Sequence, residues 1–198
     1  MRTICLGLCV AGVLGALSLG QPGPFTVVID AGHGGDDTGG IGIDNVTEKD
    51  IVLQIAHLIA VEAVNFPAIK IVLTRSDDRY LSPGERLAQA RGAQVFLSLH
   101  LSFSYDPRVR GITAAVTPKA DERTRALADA LRSRLIAATR APDLGTKTAP
   151  LWVRRLHMPA VQLYLGFVTN PDEARKLGQL AYKKRIAQAI LEALEASF

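Results

Sequence analysis

The 198 residues fit one ordinary domain, and a 48% hydrophobic share is enough to bury a sizeable core, which excludes disorder for most of the chain. Twenty-three basic residues against 19 acidic ones leave a formal charge of +4, a mild excess that suits an anionic surface. Aromatics are only 6% and are not interleaved with a basic stripe, so the pattern does not point to nucleic acid.

The first twenty residues differ from the rest. Arg2 precedes an unbroken apolar and small-residue run from Ile4 to Leu19, and Ser18 and Gly20 are spaced like the −3 and −1 positions of a cleavage site. This is the layout of a secretory signal peptide over residues 1–20. The run is shorter than the roughly 20 residues that span a bilayer comfortably; an uncleaved N-terminal anchor is the alternative. Cleavage predicts export to the periplasm, the cell wall or the extracellular space, with no stable membrane anchor afterwards. Leu8 precedes Cys9, which lies before the apolar run ends and so does not read as a lipoprotein cysteine. Both cysteines, Cys5 and Cys9, fall in the leader. The mature chain then has no thiolate or disulfide, and any zinc site in it must use histidine and carboxylate. Nothing in the sequence sets an oligomeric state.

After a linker over residues 21–24, Phe25 to Asp30 reads as a buried strand through its Val27-Val28-Ile29 run. A Gly-rich loop from Ala31 to Gly42 follows. Thr47 to Val64 has helical period, with Ile51, Ile55, Leu58 and Ile59 on one face. Ile69 to Leu73 is a second strand. Ser82-Pro83-Gly84-Glu85 starts a helix that runs to about Arg91. Gln94 to Leu99 and Gly111 to Val116 are the third and fourth strands, and Asp121 to Ala138 is an amphipathic helix. Arg140 to Pro150 is a candidate cleft cover, although its composition carries no specific signal for that role. Leu151 to Arg154 and Ala160 to Leu165 read as short strands. Asn170-Pro171-Asp172-Glu173 starts a final helical stretch with a break near Gly178. Strands alternating with helices predict a single α/β domain over residues 25–198, a mixed and mostly parallel sheet with helices on both faces.

In such a sheet, functional residues gather past the carboxyl ends of strands. His33 stands in a glycine turn after the first strand, and His100 ends the third. Glu48 opens the first helix. Two histidines and one carboxylate would leave a fourth tetrahedral position open, as in catalytic zinc sites. Each residue alone has a plainer reading. Glu48 could cap its helix, with Asn45 three residues before it. His33 could be a loop histidine, and His100 a hydrogen-bonded core histidine. The glycine loop lacks both the dinucleotide and the P-loop patterns. His57 reads as structural, and His157, before Met158-Pro159, is open.

Val28-Ile29-Asp30-Ala31-Gly32-His33-Gly34-Gly35, Glu48-Lys49, Leu73-Thr74-Arg75, Phe96-Leu97-Ser98-Leu99-His100, Pro159-Ala160-Val161 and Gly166-Phe167-Val168-Thr169-Asn170 occur in that order. Together they resemble the successive motifs of the zinc-dependent N-acetylmuramoyl-L-alanine amidases, over nearly the whole chain from Phe25. The resemblance implies Zn2+ held by His33, Glu48 and His100. It also implies a substrate, the amide between the lactyl group of N-acetylmuramic acid and L-alanine in peptidoglycan.

The likeness breaks at one catalytic position. Two residues before the Gly-Phe motif the family carries a catalytic glutamate, and this chain has Tyr164. Asparagines that are common in the family near Arg91 and at Ser102 are also replaced. A phenol with a pKa of about 10 is a poor base at neutral pH, although Tyr164 could donate a hydrogen bond to the carbonyl or oxyanion. His157 is a candidate substitute base if its loop folds over the metal, whereas Glu85 and Glu173 read as helix-start residues. Three functions follow: a zinc amidase; a degenerate module that binds zinc and wall peptide, or regulates other hydrolases, without cutting; and a zinc peptidase of other specificity.

Overall fold

The computed structural model describes residues 23–42 and 45–198; the expected leader over residues 1–20 lies outside them. Six strands form one sheet: β1 (Phe25–Ala31), β2 (Ile69–Leu73), β3 (Val95–Ser102), β4 (Ile112–Val116), β5 (Asp143–Thr148) and β6 (Ala160–Phe167). Their order is β2-β1-β3-β6-β4-β5. The first four in that order are mutually parallel, β4 runs antiparallel to β6, and β5 is parallel to β4. The mixed, mostly parallel sheet is the one expected from the alternation of elements.

Five α-helices are found among the described residues: α1 (Glu48–Glu62), α2 (Pro83–Gln89), α3 (Glu122–Thr139), α4 (Pro171–Gly178) and α5 (Leu180–Glu195). Side chains alternate across a strand, and β1 shows the consequence. Val27, Ile29 and Ala31 pack with Ile51, Ile55 and Ile59 of α1, Leu127, Leu131 and Leu135 of α3, and Ile186 and Ile190 of α5 in the larger core. Val28 faces the other way, into a smaller core with Phe96, Ala90, Leu151 and Val153. The helices are thus unevenly shared. The long ones cover one face; α2 and a short 3-10 turn, Trp152–Arg155, cover the other.

Side-chain caps fix the starts of α2, α3 and α4. Ser82 and Glu85 form a reciprocal capping box at α2. Asp121 accepts from the Thr124 amide at α3, and Asn170 accepts from the Asp172 and Glu173 amides at α4. The break near Gly178 separates α4 from α5 as expected.

Two expectations are corrected. Leu151 to Arg154 is not a strand: residues 152–155 form the 3-10 turn, closed by Arg154 N–H to Leu151 O and Leu156 N–H to Val153 O. Apolar periodicity does not separate a strand from a short buried turn, and Leu151 and Val153 are buried in either form. The missing strand is β5, inside the segment read as a cleft cover. Its sequence, Asp-Leu-Gly-Thr-Lys-Thr, has weak strand propensity, and pairing with β4 at the sheet edge determines its form. A smaller difference is that α2 ends at Gln89 rather than near Arg91.

Candidate metal centre

The carboxyl ends of β1 and β3 and the first turn of α1 converge. His33 sits just past β1 with φ 59°, a left-handed conformation uncommon outside glycine. Thr47 is the N-cap of α1 and makes no side-chain capping bond. The Glu48 carboxylate turns away from the helix start: Oε1 lies 3.1 Å from His33 Nε2 and 3.0 Å from His100 Nδ1. It also accepts the Leu101 amide at Oε1, 2.8 Å, and the Gly40 amide at Oε2, 2.9 Å. The plainer reading of Glu48 as a cap therefore fails. His33, Glu48 and His100 each offer one ligand atom, all within 4.8 Å of one another.

The electrostatics follow from this packing. Burial alone would raise the Glu48 pKa, but the hydrogen bonds from His100 and His33 outweigh it and hold the carboxyl well below the usual range. The Glu48 hydrogen bond raises His33 above its ordinary value against an opposing effect of burial, and Asp37 adds to the rise. Asp37 Oδ1 lies 2.9 Å from His33 Nδ1. That contact commits Nδ1 and leaves Nε2 for the centre, the usual arrangement behind a metal-binding imidazole. Asp37 was not singled out in the sequence; a carboxylate four residues after a candidate ligand was the available signal.

Two glycines make room. A Cβ on Gly32 would lie 2.4 Å from the His100 ring, and one on Gly39 would lie 2.6 Å from His33 and 2.8 Å from Glu48. The backbone that carries His33 is held by buried cations. Arg75 donates to the carbonyls of Ala31, Gly32 and Lys49, and Arg86 donates to those of Ala31 and His33. Buried Asp30 ties the set together, accepting from Arg86, Thr74 and Ser98 at 2.7 to 2.8 Å. Asp30 and Thr74-Arg75 were visible as motif residues, but Arg86 was not. Lys49 bridges the Gly35 carbonyl and Asp78, whose carboxylate also accepts the Gly35 amide.

Tyr164 lies beside this centre. It pairs with His100 in the β3–β6 register, with ring centroids 5.9 Å apart. Just beyond, the register slips by one residue, so that Ser102 pairs with Phe167, and Gly166 takes φ 141°. Such a bulge bends the strand next to the site. Burial, reinforced by the Glu48 charge, raises the Tyr164 pKa above its ordinary value, with the Gln162 hydrogen bond acting the other way.

His157 is not brought to the centre. It lines a separate cavity of about 230 Å³ with Thr117, Lys119, Asp121 and Arg154, before the start of β6. His57 is exposed, with Nε2 3.1 Å from the Ser76 carbonyl oxygen. Glu85 is the capping residue expected, whereas Glu173 does more than start a helix: its buried carboxylate accepts the amides of Gly111 and Phe167.

Comparison with known proteins places these features in a family. The family model described as N-acetylmuramoyl-L-alanine amidase matches residues 27–196. The N-acetylmuramoyl-L-alanine amidase LytC of Bacillus subtilis is 36% identical over 169 residues, which is 83% of this chain and 34% of that protein; the chain thus spans about a third of LytC. Among solved structures, an N-acetylmuramoyl-L-alanine amidase from Clostridium difficile 630 is similar at TM-score 0.84 and 32% identity, covering 88% of this chain and 97% of the other. The catalytic domain of CwlV from Bacillus (Paenibacillus) polymyxa var. colistinus is similar at TM-score 0.80 and 32% identity, covering 86% and 96%.

Proposed function

Because the chain belongs to the N-acetylmuramoyl-L-alanine amidase family, we propose that it is an exported, zinc-dependent hydrolase of the amide between N-acetylmuramic acid and L-alanine in peptidoglycan. The observation that carries this reading is the convergence of His33, Glu48 and His100 on one point, with ligand atoms within 4.8 Å of one another. Two imidazole nitrogens and one carboxylate oxygen are a donor set that suits zinc, and they number three, which fits a catalytic rather than a closed structural site. Zinc held there supplies Lewis acidity toward the scissile carbonyl and the attacking water.

The chain's own residues supply the rest. Asp37 orients His33, and the Leu101 and Gly40 amides fix Glu48. Arg75 and Arg86 hold the turn that presents His33. Tyr164 stands beside His100 and is suited to donating a hydrogen bond to the carbonyl oxygen as charge builds on it. Glu48 and Asp37 are both engaged on His33, so neither is a free carboxylate for proton transfer. Lack of a general acid–base group typically costs about 10²–10⁴-fold in rate, which predicts slow turnover. The same substitution, Tyr164 where the resemblance implies glutamate, favours a second reading: a module that holds zinc and wall peptide without cutting.

The test is incubation of the protein with peptidoglycan, with and without a zinc chelator, followed by assay of newly freed L-alanine amines. Chelator-sensitive release supports the amidase. No release at high protein concentration, with release appearing in Tyr164→Glu, supports the non-cleaving module. Release that survives chelation contradicts a zinc mechanism.

A further inference from the structure

A row of side chains crosses five strands on the face of the sheet that carries the site. Asp30 of β1 pairs with Ser98 of β3, Ser98 with Gln162 of β6, Gln162 with Ala115 of β4, and Ala115 with Lys147 of β5. The next row toward the centre is His100, Tyr164 and Thr113. Strand alternation puts Lys147 on this same face. Its neighbour Thr146 points the opposite way and hydrogen-bonds Asp129 of α3.

Lys147, Thr113, Ser102, Tyr164 and Phe167 line a cavity of about 220 Å³. A second cavity, of about 190 Å³, contains His33, His100, Tyr80 and Trp152. His100 lines one and Tyr164 the other, so this neighbouring ring pair stands between the two cavities. Among the described residues, the Lys147 ammonium has no ion-pair or hydrogen-bond partner, and the hydroxyls of Ser102 and Thr113 have none. By contrast Arg132, on the other face of β5, is paired with both Asp143 and Asp129. The β5 side of Tyr164 therefore presents one cation and two hydroxyl donors with no acceptor of the chain's own.

We propose that this cavity receives the peptide side of the scissile amide and that Lys147 pairs with a carboxylate of the stem peptide, an inference that rests on the amidase reading. Donors that lack protein acceptors match an anionic ligand, and a cell-wall stem peptide carries carboxylates on the alanine side of the bond, whereas the sugar side offers neutral hydroxyls and amides. Lys147 is here a specificity residue rather than a catalytic one. It sits beyond Tyr164, on β5, whereas His100 is on β3 and His33 follows β1, and it is exposed, so its replacement leaves the metal centre and the fold intact.

The test is calorimetric titration of the zinc-loaded full chain with a soluble N-acetylmuramyl peptide, once with free carboxylates and once with the same groups as carboxamides. Should the ligand be turned over, KM replaces the binding constant. Exposed pairs contribute modestly, so the wild type is expected to prefer the carboxylate form by about two- to fivefold. Lys147→Gln should lose that preference and Lys147→Arg should keep it, with unchanged melting temperatures. Equal affinity of the wild type for both forms, or a preference that survives in Lys147→Gln, overturns the inference while leaving the amidase reading in place. Failure of the wild type to bind either form overturns the amidase reading and this inference with it.

Discussion

Gln162 donates a 2.7 Å hydrogen bond from Nε2 to the phenolic oxygen of Tyr164, and the Gln162 Oε1 is buried without a partner. The reversed amide would strand buried N–H groups instead, which is rarer in proteins than an under-satisfied carbonyl. With its oxygen already accepting from Gln162, the Tyr164 hydroxyl has its proton left to donate, as the proposed role toward the scissile carbonyl requires. Tyr164→Phe is therefore expected to lower amide hydrolysis by about 10²-fold, the scale of losing one oxyanion donor. Tyr164→Glu installs a group that can alternate as base and acid, and should raise the rate by about 10²–10⁴-fold. Both are read from the rate of amine release from peptidoglycan. An unchanged rate in Tyr164→Phe would remove the phenol from the chemistry.

The two shells of the metal centre should separate quantitatively. His33→Ala and His100→Ala each delete one of three ligand atoms and are expected to abolish stoichiometric zinc binding. Asp37 touches only the far nitrogen of His33, so Asp37→Ala should retain zinc at an affinity about 10–100-fold lower. Competition against a chromophoric chelator measures all three. Wild-type affinity in Asp37→Ala would show that the 2.9 Å contact with Nδ1 does not tune the ligand.

The pH dependence of stability should reverse when zinc is added. In the metal-free protein, Glu48 is held below its ordinary pKa, so its contribution is present above about pH 4.3 and is lost as pH falls. His33 is raised above 6.5, so its contribution is present below that value and is lost as pH rises through the raised one. Zinc requires neutral imidazole, so its stabilisation grows over the range in which His33 loses its proton. The gain in melting temperature on saturating with zinc should therefore increase between about pH 6 and 8. A gain that stays flat across that range would mean that no histidine proton is displaced.

How legible the site was depended on whether the signal was local. His33 and His100 could be placed because each follows an apolar strand run, and strand ends are where an α/β sheet collects function. Glu48 alone was ambiguous, since a carboxylate in a first helical turn caps as readily as it ligates; only the fold brings it to two imidazoles across 52 positions of sequence, as the His100 contact shows. Arg86 carries no local signal in the sequence, because the group it serves, Asp30, lies 56 positions away. The edge strand β5 was missed because Asp143, Gly145 and Lys147 resist strand structure locally, and its backbone pairing with β4 is a tertiary effect. The same misreading hid Lys147, whose direction toward Tyr164 exists only once β5 is a strand.

The Asp30–Arg86 pair should be the most costly polar contact to break. Both side chains are almost completely buried, at 1% and 7% exposure, and lie 2.7 Å apart. Removing one partner of such a pair leaves an uncompensated charge and costs about 3–5 kcal/mol. Asp30→Ala would strand Arg86 and also the hydroxyls of Thr74 and Ser98. Arg86→Met would strand Asp30 and free the carbonyls of Leu81, Ala31 and His33. Each variant is expected to unfold with the loss given above, measured by denaturant titration. The Arg86 variant should in addition lose zinc affinity beyond what its stability explains, because the His33 turn is no longer held. The double variant Asp30→Ala/Arg86→Met should be less destabilised than the sum of the two, since neither charge is left alone. Strict additivity would mean that the two residues stabilise the fold independently rather than as a pair.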